Sequence, residues 1–66
     1  MTIINRVKQL RAEKSITQEE LASACGVSRQ TVIAIEKGNY TPSLLLALQV
    51  AEFFSLPVEK VFEIKK

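Results

Sequence analysis

One stretch, TQEELASACGVSRQTVIAIEK from Thr17 to Lys37, leaves little freedom in what this chain folds into. Thr17 and Glu20 stand three residues apart at the head of an apolar-periodic run, the spacing of a capping box. In that device a side-chain hydroxyl and a carboxylate each satisfy a backbone N–H that has no partner within the helix. A helix therefore begins at Thr17. Gly26 supplies the backbone freedom that a short reversal at Cys25-Gly26-Val27 needs, and Ser28 offers a hydroxyl to cap a second helix over 28–37. Leu21, Ala22 and Cys25 fall on one face of the first helix, and Val32 and Ile35 on one face of the second. Two short helices are thus expected to cross near Ala22, whose small side chain permits close approach.

The flanking segments read as support. Residues 5–14, NRVKQLRAEK, place Val7, Leu10 and the stem of Arg11 on one face, as in an amphipathic first helix. Ile16 stands just before the Thr17 cap, where a hydrophobic staple toward Leu21 is expected. Gly38 suits a left-handed helix end, Asn39-Tyr40 a loop, and Pro42 the first position of a further helix running to Phe54. Along that helix Leu44, Ala47, Leu48, Ala51 and Phe54 form the expected core stripe, with Leu45, Leu46, Val50 and Phe53 as apolar surplus. Pro57 to Phe62 reads as a last short helix, with Glu59 favouring its positive end. Thr2-Ile3-Ile4 and Val61-Phe62-Glu63-Ile64 are β-branched or apolar runs at the two ends; they either pair as a small antiparallel ribbon or fray. The expected fold is all-α, with five helices in a single domain spanning 1–66.

Sixty-six residues suffice for one small core and no second domain. A single cysteine and no histidine argue against an internal disulfide or a zinc site, and Cys25 falls on the core face, where it serves as a small hydrophobe rather than a redox switch. Nothing approaches the ~20 apolar residues of a membrane span, and the first residues do not form a secretory signal, so a cytoplasmic protein is expected. The carboxylates sit at helix starts and on solvated faces, with no Gly-rich phosphate loop. Neither an enzyme nor a cofactor, metal or small-molecule ligand is indicated. The net charge of +2 is unevenly placed: six basic residues against four acidic through Tyr40, then three against three. The excess lies with the motif, a weak pointer to nucleic acid.

Gln18, Ala22, Gly26, Val27, Val32 and Ile35 match in type and spacing the two-helix motif of the lambda-repressor-like, or XRE-type, helix-turn-helix regulators, which the chain resembles. Arg11, Glu36-Lys37-Gly38, Pro42-Ser43-Leu44, Ala47, Leu48, Val50 and Ala51 extend the resemblance over nearly the whole chain. It implies a five-helix DNA-binding domain with the motif at 17–37 and a recognition helix at 28–37. It also implies an ion pair between Arg11 and Glu36, and a phosphate clamp at Gln18. With Val32 and Ile35 turned inward, Arg29, Gln30, Ile33, Ala34 and Lys37 face outward. An arginine makes a bidentate pair with guanine and a glutamine with adenine, so Arg29 and Gln30 are the candidate base readers, either of which alternatively holds a phosphate. Ile33 and Ala34 depart from the polar residues usual in the family; Ile33 either meets a thymine methyl or folds back toward Tyr40. Ser28, Thr31, Lys37, Asn39 and Tyr40 are candidate backbone contacts.

One such helix reads few base pairs. The expected partner is double-stranded DNA bound by a homodimer on a palindromic operator, most simply as a repressor. The apolar surplus at the carboxyl-terminal end nominates Leu56, Pro57, Val58 and Val61, with Leu45 or Phe53, for the dimer interface. The competing reading is a protein-interaction module, antitoxin-like or a coactivator, built on the same scaffold.

Overall fold

The two ends of the chain pair with each other. In the computed structural model, which describes residues Met1–Lys66, strand β1 (Thr2–Asn5) runs antiparallel to strand β2 (Phe62–Lys65). The register is Thr2↔Lys65, Ile3↔Ile64, Ile4↔Glu63 and Asn5↔Phe62. Between them lie helices α1 (Val7–Glu13), α2 (Gln18–Cys25), α3 (Arg29–Glu36) and α4 (Leu44–Phe53), followed by a 3-10 turn at Val58–Lys60. The fold is mostly helical, with four α-helices rather than the expected five. Pro57 to Phe62 does not make a full helix. The hydrogen bonds there run Lys60 N–H to Pro57 at 2.9 Å and Val61 N–H to Val58 at 3.0 Å, three residues apart, before the backbone extends into β2.

Asn5 sets the lower bound of α1. It belongs to β1, and its Oδ1 accepts the Val7 N–H at 3.1 Å while its Nδ2 donates to the Ile35 carbonyl at 2.8 Å. The helix therefore starts two residues later than its amphipathic pattern suggests.

All four helices end the same way. Ser15, Gly26, Gly38 and Ser55 have φ of 56°, 69°, 79° and 56°. The residue after each returns its N–H five positions back: Ile16 to Arg11, Val27 to Ala22, Asn39 to Ala34 and Leu56 to Ala51, at 2.9–3.0 Å. This is the Schellman arrangement, which satisfies carbonyls the helix leaves open and favours an apolar side chain on that returning residue. Ile16, Val27 and Leu56 obey, each packing against the core. Asn39 does not, and it is exposed.

The core comprises Val7 from α1, Leu21, Ala22 and Cys25 from α2, Val32 and Ile35 from α3, Leu46, Val50 and Ala51 from α4, with Phe54 and Val61. Two of the expectations for α4 are corrected. Pro42 is not its first residue: Ser43 caps it, accepting the Leu46 N–H at 3.1 Å, and Pro42 stands outside the cap. Leu44 and Leu48 are not core, being 73% and 48% exposed, whereas Leu46 and Val50 are buried. Both candidate stripes share Ala47, Ala51 and Phe54. An apolar sequence around most of the circumference leaves the rotation of the helix to tertiary packing, and here packing chooses the Leu46–Val50 side. A third correction concerns Val61, expected at a dimer surface. It is fully buried at 0% exposure, so it holds the carboxyl-terminal end onto the core and is closed to a partner.

Candidate nucleic-acid interface

The α2–α3 pair is fixed at both of its starts by side chains reading the backbone. Thr17 Oγ1 accepts the Glu20 N–H at 3.0 Å, and Glu20 Oε1 accepts the Thr17 N–H at 2.9 Å. That backbone hydrogen bond from Thr17 holds the exposed Glu20 carboxyl below its ordinary range. At α3, Ser28 Oγ accepts the Thr31 N–H at 3.2 Å and lies 3.1 Å from the Thr31 hydroxyl. The two helices meet through Leu21, Ala22 and Cys25 against Val32 and Ile35, all buried. Burial also pushes the Cys25 thiol up, which suits a packing role and not a thiolate one.

Behind α3 stands a chain of polar contacts. Arg11 Nε donates to Glu36 Oε2 at 2.6 Å, Arg11 Nη2 to Glu36 Oε1 at 3.2 Å, and Arg11 Nη1 to the Ile16 carbonyl at 2.8 Å. The two side chains are only 15% and 5% exposed. Burial pushes the Glu36 carboxyl up, but hydrogen bonds from Arg11 and Gln18 and the charges of Arg11 and Lys8 outweigh it, leaving the group below its usual range. The same Glu36 bond raises the Arg11 guanidinium. Gln18 continues the chain, donating from Nε2 to Glu36 Oε1 at 3.0 Å and accepting at Oε1 from Arg29 Nε at 3.3 Å.

The ion pair between Arg11 and Glu36 was expected; the two bonds of Gln18 were not. No spacing within one helix announces them. They arise because Arg29 and Glu36, seven residues apart, lie along one flank of α3, and the start of α2 is packed against that flank.

The remaining candidates are distributed as follows. Ser28, Arg29, Gln30, Lys37, Asn39 and Tyr40 are exposed, and Gln18, Thr31, Ile33 and Ala34 are half-buried. Arg29 and Gln30 open α3 on its solvent side, while Lys37, Asn39 and Tyr40 follow its end. Arg11, Thr17, Gln18, Glu19 and Arg29 line a hollow at the start of α2 that contains no hydrophobic residue. Of the residues nominated for a dimer surface, Pro57 is exposed, whereas Leu56 and Val58 are half-buried and pack against the core. More exposed than Leu56 and Val58 is a ridge on α4 made by Leu44, Leu45 and Leu48, with Leu45 68% exposed.

No helix is long and apolar enough to cross a membrane. A family model described as Helix-turn-helix matches residues 7–61, from the first residue of α1 to Val61. An uncharacterized HTH-type transcriptional regulator of Bacillus subtilis is 57% identical over 58 residues, 88% of each chain. The cryptic phage CTXphi transcriptional repressor RstR of Vibrio cholerae is 33% identical over 57 residues, covering 86% of this chain and 51% of that one. Among solved structures, the restriction-modification controller protein C.AhdI of Aeromonas hydrophila superposes with a TM-score of 0.78 at 31% identity, covering 83% of each chain.

Proposed function

The chain belongs to the helix-turn-helix family and is a DNA-binding transcriptional regulator rather than an enzyme; from that premise we propose that α3 reads the major groove of a palindromic operator, as half of a homodimeric repressor. One observation carries the reading. α3 is buried only along Val32 and Ile35, Arg29 and Gln30 are exposed on its first turn, and Arg29 lines the polar hollow at the start of α2. A helix presented in this way fits the major groove with its amino-terminal residues at the base edges, while the preceding helix crosses the phosphates. Arg29 and Gln30 are the base readers. Gln18, Ser28 and Thr31 hold phosphates on one side, and Lys37, Asn39 and Tyr40 hold them on the other. Ile33 and Ala34, half-buried, offer apolar surface to a thymine methyl.

A single α3 spans too few base pairs for useful selectivity, and two copies about a twofold axis read half-sites ~34 Å apart. The ridge of Leu44, Leu45 and Leu48, with Leu56, Pro57 and Val58 after it, is the surface we assign to the dimer. Repression is the simplest outcome of occupying an operator, and the repressor name of the Vibrio cholerae phage relative supports it.

Selection of bound duplexes from a random pool tests the proposal. A twofold-symmetric site whose affinity falls steeply with salt is expected, with a logarithmic slope of about −0.9 per neutralised phosphate. Arg29→Ala should lose the preferred site, whereas Lys37→Ala and Asn39→Ala should weaken all sequences alike. Equal specificity profiles for the three variants would end this division of roles, and salt-insensitive or absent binding would end the DNA reading of α3.

A further inference from the structure

The hydrogen bonds of Gln18 have only one consistent arrangement. The Glu36 carboxylate, held ionised, can only accept, and the Arg29 guanidinium can only donate. A carboxamide placed between them must give its NH2 to Glu36 and its oxygen to Arg29, the orientation observed at 3.0 and 3.3 Å. Glu36 itself cannot rotate away, since both of its oxygens are engaged by Arg11 and its side chain is 5% exposed. The amide of Gln18 is therefore set by a buried charge and not by solvent.

The consequence falls on Arg29. With Nε donating to Gln18 Oε1 at 3.3 Å, the guanidinium is held by its inner edge, and its two terminal amino groups, which bond nothing within the protein, remain available as a parallel pair. That pair is what the adjacent acceptors O6 and N7 of guanine require. An arginine without this tether presents either of two edges and can turn to a phosphate. We infer that Glu36, which touches no DNA, is a specificity-determining positioning residue: acting through Gln18, it fixes the edge of Arg29 that meets a base. This rests on the proposal that Arg29 reads a base, and it assigns to the ion pair with Arg11 a purpose beyond holding α1 against α3.

The inference is tested by measuring discrimination between the selected operator and the same duplex with the Arg29-dependent guanine replaced by adenine. Glu36→Gln removes the charge that dictates the amide orientation, because a glutamine there both donates and accepts. Gln18→Met keeps the length of the side chain and leaves the Arg11–Glu36 pair in place, so a folded comparison remains if Glu36→Gln is unstable. Each single change should reduce discrimination about threefold to tenfold, out of the roughly 5- to 150-fold that a good bidentate contact supplies. Together they should reduce it no further than Gln18→Met does alone. Thermal melts and binding to nonspecific duplex separate this from general damage, which lowers affinity for both duplexes equally. If Arg29→Ala leaves discrimination intact, the base-reading assignment itself fails, whatever Glu36 does. If Arg29→Ala abolishes discrimination while Glu36→Gln and Gln18→Met preserve it, the relay alone is refuted. Additive losses in the double variant would likewise refute it.

Discussion

Replacing Arg11 with methionine should destabilise the protein and also change how Glu36 responds to pH. The substitution keeps an unbranched apolar stem and removes three hydrogen bonds, two to Glu36 and one to the Ile16 carbonyl. Glu36 stays behind, 5% exposed, with Gln18 as its remaining hydrogen-bond donor. Removing one partner of a buried ion pair typically costs ~3–5 kcal/mol, because the other charge is stranded. The 15% exposure of Arg11 argues for the lower end, about 3 kcal/mol, a third or more of the ~3–10 kcal/mol expected for a domain of this size. In a Glu36→Gln background the same change should cost about 1 kcal/mol, the value of ordinary hydrogen bonds, giving a coupling energy near 2 kcal/mol. In the intact protein the Glu36 carboxyl lies below its ordinary value of 4.5, so its contribution to stability is complete above that pH and is lost as pH falls through the folded value. Without Arg11 only the Gln18 bond and the Lys8 charge still oppose burial, so the folded carboxyl should rise and the variant should lose less stability from this group on acidification than the intact protein does. Denaturant titration followed by circular dichroism at several pH values between 4 and 7 measures all of this. A loss under about 1 kcal/mol, a coupling indistinguishable from zero, or parallel pH profiles for intact and variant proteins would refute the reasoning.

Other consequences are simpler to test. Ser15 and Ser55 occupy left-handed positions that glycine adopts without strain, and Gly26 and Gly38 occupy the equivalent places at the other two helix ends. Ser55→Gly should therefore stabilise by up to ~1 kcal/mol, raising Tm by about 4–8 °C, and a lower Tm would contradict the strain argument. If the α4 ridge forms the dimer, Leu44→Lys with Leu48→Lys should yield folded monomer in sedimentation experiments, with loss of cooperative binding to a two-half-site operator. Persistence of the dimer would move the interface elsewhere. Val61→Asp places a charge in the core and should unfold the chain rather than merely dissociate it, so a folded monomer from this variant would overturn the burial of Val61.

The motif was legible because its signals are local. Thr17, Glu20, Gly26 and Ser28 act on backbone groups within a few residues, and their caps and reversal need nothing from the rest of the chain. The buried face of α2 and α3 followed from helical period alone. The Arg11–Glu36 pair was reached through family resemblance and stands in the structure at 2.6 Å. What the sequence hid was tertiary. The rotation of α4 was ambiguous because Leu44 and Leu48 are as apolar as Leu46 and Val50. The end of the chain read as a helix from Pro57 at its start and Glu59 near its positive end, yet pairing with β1 extends it after one 3-10 turn. Asn5 looked like part of α1 while serving as the joint between β1, α1 and α3, and Gln18 acquired its partners only when α2 met α3.

Fifty-seven residues separate Arg6 from Glu63, yet their side chains meet at 2.8 Å across the terminal ribbon. Helices whose contacts are close in sequence can assemble first, whereas drawing together two such distant segments carries the greater entropic burden and should come late in folding. The ribbon should therefore act as a latch, and Asn5 ties it to the Ile35 carbonyl at the far end of α3. Cargo fused at either terminus would tug on that clasp, so the grip on DNA should be sensitive to what is hung on the ends of this protein.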